Sequence, residues 1–299
     1  MRDGLADLHR HLDGSLRPAT VAELAAARGL AVPPDLPFTP GMGIFAALDR
    51  FRFTLSLLDT LPAITRVAAE ICEDAAAEGV TTLEIRFAPQ LHGPPIPDVV
   101  DAALDGIGGR AGLILCGLYG EPVALLEHLV DVAAARPGVV GLDLAGGPAP
   151  THAHRLADYA APFQRAGALG LGRTVHAGEG RPADEIRTAI EVLGADRIGH
   201  GVSLLDDAAL VDLVLARGTT LEACPTSNWH TGVIPAIASH PLPAWLDRGV
   251  RACVCTDNTL LSAVDAPTEQ ARAAAIPGMS SEKLKQTNHF GHQAAFARR

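Results

Sequence analysis

Residues 173–199 read RTVHAGEGRPADEIRTAIEVLGADRIG, and the fold prediction starts from this stretch. It opens with a short run rich in β-branched and apolar residues and then passes through a glycine-rich turn. A segment of helical period follows, and a second apolar run ends the stretch. Strand, helix and strand in this order form a βαβ unit, which is typical of a parallel sheet covered by helices.

The same alternation extends over the rest of the chain in both directions. Apolar runs that predict strands occupy residues 5–11, 81–87, 113–118, 139–144, 173–176, 197–199, 219–223 and 251–255. Segments of helical period occupy residues 64–78, 122–135, 152–166, 183–193, 208–217 and 241–247. Eight such units favour a closed (β/α)8 TIM barrel over an open sheet. One barrel domain is therefore predicted over residues 1–299, because barrels of ~250 residues fold as one unit.

The composition excludes several classes of protein. The chain of 299 residues is 48% hydrophobic and 19% charged, which excludes disorder. Its net charge of −10 argues against nucleic acid polymers and anionic membranes as partners. No apolar run approaches the ~18 residues of a membrane span, and the first residues, which include Asp3, do not predict a signal peptide. Five cysteines in mostly apolar segments predict reduced, buried thiols and a cytoplasmic protein.

Polar side chains follow most of the predicted strands, where barrel enzymes carry their chemistry. His9 and His11 are two residues apart on the first strand, so both side chains project from one face as a chelating pair. A pair of hydrogen-bonded core histidines is the alternative. His176 ends the fifth strand and Asp257 follows the eighth, although a lone Asp there also fits a helix N-cap.

Taken together, these three histidines and one aspartate would form one set around a divalent cation. Mixed imidazole and carboxylate ligands suit zinc, with iron, cobalt or manganese as alternatives. An open position for water would make the cation catalytic.

Two further side chains are candidates for proton chemistry. Glu179 lies in the turn after His176 and would face the same cavity as a proton shuttle; a helix N-terminal acid is the equal alternative. His200, between two glycines at the end of the sixth strand, is an acid/base candidate or a histidine bonded to backbone. Glu84 and Arg86 predict a structural ion pair inside the barrel. Most of the remaining histidines, namely His92, His128, His152, His154, His240, His289 and His292, are predicted to be solvated, and His230 is a candidate rim residue.

The motifs, taken in order, resemble the adenosine deaminase family over roughly residues 5–262. The motifs that carry the resemblance are His9-Arg10-His11-Leu12-Asp13-Gly14-Ser15, Glu78-Gly79-Val80 through Glu84-Ile85-Arg86, Gly141-Leu142-Asp143-Leu144-Ala145-Gly146, His176-Ala177-Gly178-Glu179, Arg197-Ile198-Gly199-His200-Gly201, Cys224-Pro225-Thr226-Ser227-Asn228 and Thr256-Asp257-Asn258. The resemblance implies a barrel of the metal-dependent hydrolase type, which agrees with the strand count.

The resemblance also implies a role for each matching residue. One zinc ion per chain would be ligated by His9, His11, His176 and Asp257. Glu179 would protonate purine N1 while hydroxide attacks C6, and His200 would orient that hydroxide.

Three positions would contact the substrate if the resemblance holds. The Gly146 N–H would donate to purine N3, Asp13 would hold a ribose hydroxyl, and Asn258 would contact N7 or help to orient the nucleophile. The products would be a 6-oxopurine nucleoside and ammonia.

The chain departs from the family pattern in three places. Asn258 stands where many members carry a second Asp. Gly147-Pro148-Ala149 replaces an acidic pair after Gly146, and Gly117-Leu118-Tyr119-Gly120 replaces an Arg-His dipeptide after Cys116. These changes affect the fit of the substrate outside the purine ring more than the metal and acid chemistry.

The sequence therefore predicts zinc-dependent deamination of adenosine or a closely related 6-aminopurine nucleoside. Free adenine and aminodeoxyfutalosine are alternative substrates. A non-deaminating metal hydrolase and an inactive purine-binding scaffold are the alternatives from other classes. The predicted partner is a small purine nucleoside, and the sequence does not predict an oligomeric state.

Overall fold

The structure, a computed structural model, describes residues 4–297 and contains one sheet of eight parallel strands. Each strand pairs with the next along the chain, so the sheet order is the sequence order. The strands are β1 (Leu5–His11), β2 (Val80–Phe87), β3 (Gly112–Leu118), β4 (Val139–Ala145), β5 (Gly172–Ala177), β6 (Arg197–His200), β7 (Thr220–Ala223) and β8 (Arg251–Val254). All eight predicted strands are confirmed, with ends that differ by one residue at most.

The helices lie between the strands and after β8. They are α1 (Pro18–Ala27), α2 (Ile44–Leu57), α3 (Leu61–Ala77), α4 (Ile96–Ile107), α5 (Val123–Ala134), α6 (Ala160–Ala168), α7 (Ala183–Glu191), α8 (Ala208–Arg217), α9 (Pro225–His230), α10 (Leu242–Asp247), α11 (Ala266–Ala274) and α12 (Ser281–Ala294). Short 3-10 turns cover Pro89–Leu91, Leu156–Tyr159, Val202–Asp206 and Ile237–Ser239.

The sheet closes into a barrel through the segment that follows β8. The N–H of His11 donates to the carbonyl of Asp257 at 2.7 Å, and the N–H of Asp257 donates to the carbonyl of His9 at 2.8 Å. This pairing joins the first strand to the last, so the architecture is the predicted (β/α)8 TIM barrel. It also sets Asp257 beside the two histidines of β1.

The sequence predicted the helices less accurately than the strands. The helix predicted over residues 152–166 begins only at Ala160, because a 3-10 turn occupies Leu156–Tyr159. α4 begins at Ile96, within a proline-rich stretch that favours a loop. Pro97 is tolerated there because the N–H groups of the first helical turn have no acceptor within the helix, so a residue without an N–H loses no hydrogen bond. The sequence did not predict α1, α2, α4, α9, α11 or α12.

The barrel interior is polar, and the apolar core lies mainly between the strands and the surrounding helices. The predicted pair of Glu84 with Arg86 is wrong. Arg86 binds Asp143 and Glu222, each at 2.8 Å, whereas Glu84 binds Arg197 at 2.5 Å. Side chains two apart on one strand both project inward, but each meets the opposite charge of a different strand.

The C-terminal segment closes the lower end of the barrel. The Phe296 ring lies 3.7 Å from the guanidinium of Arg197, and the Phe296 N–H donates to Glu84 at 2.6 Å. A Cβ at Gly172 would meet this ring at 2.2 Å, which explains the glycine on β5.

Buried thiols are confirmed, since all five cysteines are free and buried. Between residues 4 and 297, no helix has both the length and the apolar character needed to cross a bilayer. His92 and His240 are buried instead of solvated as predicted; Nδ1 of His92 bonds the Leu58 carbonyl at 2.8 Å, and His240 packs edge-on against Trp245. His230 is also buried, beside Phe38.

Candidate active site at the carboxyl end of the barrel

Four donor atoms from three parts of the chain converge at the carboxyl end of the barrel. The Nε2 atoms of His9 and His11 are 3.2 Å apart, and that of His11 lies 3.3 Å from Nε2 of His176. Oδ1 of Asp257 lies 3.5 Å from Nε2 of His9 and 3.4 Å from Nε2 of His11. The alternation of β1 sends both of its histidines inward, and the barrel brings β5 and the segment after β8 to the same point.

This donor set fits a divalent cation. Bonds of ~2.0–2.1 Å to a tetrahedral ion place the ligands roughly 3.3–3.4 Å apart, close to the separations observed. Burial lowers the pKa of His176 and holds that of His11 well below its usual range, so both rings are neutral and offer lone pairs. Three imidazole nitrogens and a carboxylate oxygen that converge on one point indicate a cation site.

Two buried carboxylates orient the histidine rings from behind. Glu222 on β7 lies 2.7 Å from Nδ1 of His9, and Asp143 on β4 lies 3.0 Å from Nδ1 of His176. Each carboxylate therefore fixes the tautomer that leaves Nε2 free. Neither residue had a predicted role, although Asp143 is an acid within an otherwise apolar predicted strand.

Two residues of the site have strained backbones. His200 has φ 66° and Asp257 has φ 61°, in the left-handed region that non-glycine residues rarely adopt. Each such residue costs on the order of 1–3 kcal/mol and is retained where the surrounding structure requires it. Here the strain aims both side chains into the cavity.

Glu179 has the properties of a proton donor near neutral pH. Burial, reinforced by the nearby Asp257 carboxylate, raises the pKa of Glu179 to about 7. Oε2 of Glu179 lies 3.6 Å from Nε2 of His200, and the Thr231 hydroxyl lies 3.5 Å from Oε1. The turn after β5 therefore places a carboxyl that is partly protonated at neutral pH beside the four donors.

His200 is held from the opposite side of its ring. Nδ2 of Asn228, on α9, lies 3.0 Å from Nδ1 of His200. Burial holds the pKa of His200 well below its usual range, so the imidazole is neutral. The sequence analysis matched the motif that contains Asn228 but assigned no role to this residue.

The three predicted substrate contacts line the same cavity. Gly146 adopts φ 74° at the end of β4, a conformation that glycine takes at low cost. Asn258 lies against Gly14, where a Cβ would approach the Asn258 Oδ1 to 1.9 Å, so the glycine makes room for the amide. Burial raises the pKa of Asp13 to about 7. Oδ1 of Asp13 is buried without a hydrogen-bond partner in the described part of the chain, as expected for a group that awaits a ligand.

The structure thus brings all nine predicted site residues together. His11, Gly146, His176, Glu179, His200, Asp257 and Asn258 line one cavity, His9 lies beneath it, and Asp13 lines its continuation toward α2.

Known proteins of three kinds are similar to this chain. The sequence profile of the adenosine deaminase family matches residues 4–299. An adenosine deaminase of Erwinia tasmaniensis is 35% identical over an alignment that covers 98% of this chain and 93% of that protein. The crystal structure of adenine deaminase from Arthrobacter aurescens superposes with a TM-score of 0.89 at 25% identity, covering 98% of this chain and 94% of that one. Arabidopsis ADAL complexed with IMP shares the fold, with a TM-score of 0.86 at 23% identity and coverage of 98% and 92%.

The barrel and these likenesses define a metal-dependent aminohydrolase that deaminates 6-aminopurines. The chain belongs to the adenosine deaminase family.

Proposed function

We propose that the protein catalyses the zinc-dependent hydrolysis of adenosine to inosine and ammonia. One observation carries this proposal: the buried Glu179 carboxyl, whose pKa is about 7, faces the same cavity as the four converging donors. A site for simple amide or phosphoester hydrolysis needs the cation. It has less need of a carboxyl such as Glu179, placed to protonate a ring nitrogen of the substrate. An inactive scaffold needs neither the strained Asp257 nor the protonated Glu179.

His9, His11, His176 and Asp257 would hold the cation, and the three-imidazole, one-carboxylate set favours zinc. When bound, zinc acts as a Lewis acid that lowers the pKa of a water molecule in the cavity to about 7. Glu222 and Asp143 keep two of the histidines in the ligating tautomer, as their distances to Nδ1 indicate.

Proton movement is assigned to Glu179 and His200. Glu179 donates a proton to N1 of the purine, which removes the aromatic character of the ring and makes C6 electrophilic. Water oxygen bonds to C6 as its two O–H bonds break in turn, and one proton returns to Glu179 while the other goes to the amino group. The C6–N6 bond then breaks, and the amino group leaves as ammonia. His200, neutral and held by Asn228, donates from Nε2 to the incoming oxygen and so orients it.

The purine is oriented by three groups around the cavity. The Gly146 N–H donates to N3, and the Asn258 amide donates to N7. The Asp13 carboxyl, buried and without a partner for Oδ1, takes a ribose hydroxyl. This unpaired carboxyl favours a nucleoside over the free base, because adenine has no hydroxyl to satisfy it.

Free adenine is the second candidate, because a solved neighbour at 25% identity is named adenine deaminase. A substrate panel decides between the two. The zinc-loaded protein should release ammonia from adenosine with a kcat/KM at least tenfold above that for adenine, AMP or aminodeoxyfutalosine. Asp13→Ala should reduce kcat/KM for adenosine and leave that for adenine unchanged. A preference for adenine in the unaltered protein would overturn the nucleoside assignment. We also propose a cytoplasmic location, which the five free thiols support.

A further inference from the structure

Arg181, two residues after Glu179, reaches across the rim of the barrel to two neighbouring strand ends. Its side chain is only 12% exposed. Nη2 donates to the carbonyl of His176 at 2.7 Å, and Nη1 donates to the carbonyl of Gly146 at 3.2 Å. Nε donates to Glu185 at 2.5 Å, which anchors the guanidinium on α7. One cation therefore ties the end of β5 to the end of β4.

Tyr119, on the loop after β3, completes this arrangement. The Arg181 guanidinium lies 5.1 Å from the centre of the Tyr119 ring, within the range of a cation–π contact. The Tyr119 hydroxyl donates at 2.9 Å to the same His176 carbonyl that Arg181 binds. The Tyr119 side chain is buried, so its hydrogen bond to the His176 carbonyl is shielded from water. The ends of β3, β4 and β5 are thus linked through Arg181, which binds the Gly146 carbonyl, and through the His176 carbonyl, which Arg181 and Tyr119 share.

Gly147 leaves the space that the guanidinium occupies. A Cβ at this position would lie 2.8 Å from Nη1 of Arg181, and the only other described atom within 4 Å of it would be Cζ of the same side chain. The backbone of Gly147 is outside the left-handed region, so its conformation alone does not require glycine. A side chain at position 147 would therefore require the Arg181 guanidinium to shift. Two of the three departures noted in the sequence, at positions 119 and 147, are neighbours of this one side chain.

We propose that Arg181 is a positioning residue that determines purine specificity. It holds Gly146 in the position from which the backbone N–H donates to N3 of the substrate. This inference rests on the proposed function, because it needs a purine in the cavity. This role is assigned through the β4 loop, because the Arg181 guanidinium donates to the Gly146 carbonyl. The Tyr119 ring packs against the Arg181 guanidinium, and Gly147, which has no side chain, leaves room for it.

The test compares two inhibitors that differ only at the atom Gly146 would recognise. Inhibition constants for purine riboside and 3-deazapurine riboside report binding whether or not either compound is turned over. In the unaltered protein, purine riboside should bind about tenfold more tightly, the factor for one hydrogen bond to a buried donor. In Arg181→Met this ratio should fall to about 1–3, because the donor is no longer held in place.

Gly147→Ala provides the second variant and retains every charged group. Its methyl group displaces Nη1, so the ratio should fall as in Arg181→Met. In the Arg181→Met background, Gly147→Ala should have no further effect, since the atom it would meet is gone. Arg187→Met is the matched control, because Arg187 lies on α7, the helix that follows Arg181, and pairs with Asp207 at 2.6 Å, away from the cavity. Circular dichroism shows which variants are folded.

The results separate this inference from the proposed function. Lower ratios in folded Arg181→Met or Gly147→Ala, with the control unchanged, would support it. A ratio that stays near tenfold in Gly147→Ala and in any folded Arg181→Met protein would overturn the inference and leave the deaminase assignment intact. An unaltered protein that deaminates no 6-aminopurine would overturn the proposed function and this inference with it.

Discussion

Nδ2 of Asn228 lies 3.0 Å from Nδ1 of His200, and both side chains are buried. An amide nitrogen can only donate, so Nδ1 of His200 must accept. The proton of the neutral imidazole therefore sits on Nε2, the atom that lies 3.6 Å from Glu179. Through this contact, Asn228 makes His200 a donor toward the cavity.

Reversing the polarity of this contact should impair turnover. In Asn228→Asp, a carboxylate accepts from Nδ1–H of His200 and leaves Nε2 without a proton. We expect kcat to fall by about 10²-fold with a small change in KM, because an orienting group acts mainly in the transition state. The control is Asn288→Asp on α12, which is remote from the cavity. Normal kcat in folded Asn228→Asp would contradict the assigned tautomer.

Removing one proposed ligand should remove the cation. His9→Ala or His176→Ala should abolish both bound zinc and activity, since each leaves three of the four donors. His128→Ala, at an exposed position on α5, is the matched control and should retain both. Elemental analysis of dialysed protein gives the zinc content per chain. Full zinc occupancy in either ligand variant would show that these histidines are not ligands.

Glu179→Gln should reduce kcat by roughly 10²–10⁴-fold while zinc stays bound. The proposed acid must be protonated, and its pKa is raised to about 7, so kcat/KM of the unaltered protein should fall as the pH rises through about 7. That alkaline limb should be absent from the residual activity of the variant. Glu191→Gln, at an exposed position on α7, should keep the profile of the unaltered protein.

The same substitution should stabilise the metal-free protein at alkaline pH. A folded-state pKa above the ordinary value means that the folded state holds its proton more tightly than the unfolded state does. Stability is therefore lost as the pH rises from about 4.5 to about 7, by up to ~3 kcal/mol. Urea unfolding above pH ~8 should show Glu179→Gln to be the more stable protein. If the difference in unfolding free energy between Glu179→Gln and the unaltered protein were the same at acid and alkaline pH, the raised pKa of Glu179 would be contradicted.

Asn258 should recognise N7 without needing a proton there, because its amide nitrogen donates. A 7-deaza analogue of the substrate should lose ~1–3 kcal/mol of transition-state stabilisation, since the buried donor is left unpaired. Asn258→Asp should retain activity but move the acid limb of the pH–rate profile to higher pH, because the added negative charge raises the pKa of the attacking water. A 7-deaza analogue turned over as fast as its parent would contradict this role.

The strands and the candidate site residues were predictable because both follow from short-range patterns. Apolar runs identified all eight strands, and polar residues at or after their ends identified the four proposed ligands, Glu179 and His200. The resemblance to the adenosine deaminase family added the three substrate contacts, namely Asp13, Gly146 and Asn258. Helices such as α12 escaped prediction because they are largely polar and take their stability from packing on β1 and β8, which no local pattern reveals.

Contacts between distant residues were the least predictable part of the site. Glu222 and Asp143 reach the histidines only once the barrel brings β7 and β4 beside β1 and β5. The predicted ion pair of Glu84 with Arg86 was wrong for the same reason. Glu84 and Arg86 are close in sequence, but in the closed barrel each pairs with a charged residue of another strand.

In the proposed function, protonated Glu179 and a bound cation together deaminate adenosine. The decisive measurement is of inosine and ammonia released from adenosine by the zinc-loaded protein below pH ~7, with the chelated protein in parallel. We expect equal amounts of the two products with zinc and neither product after chelation. Failure of the zinc-loaded protein to release ammonia from adenosine, or undiminished release after complete removal of metal, would contradict it.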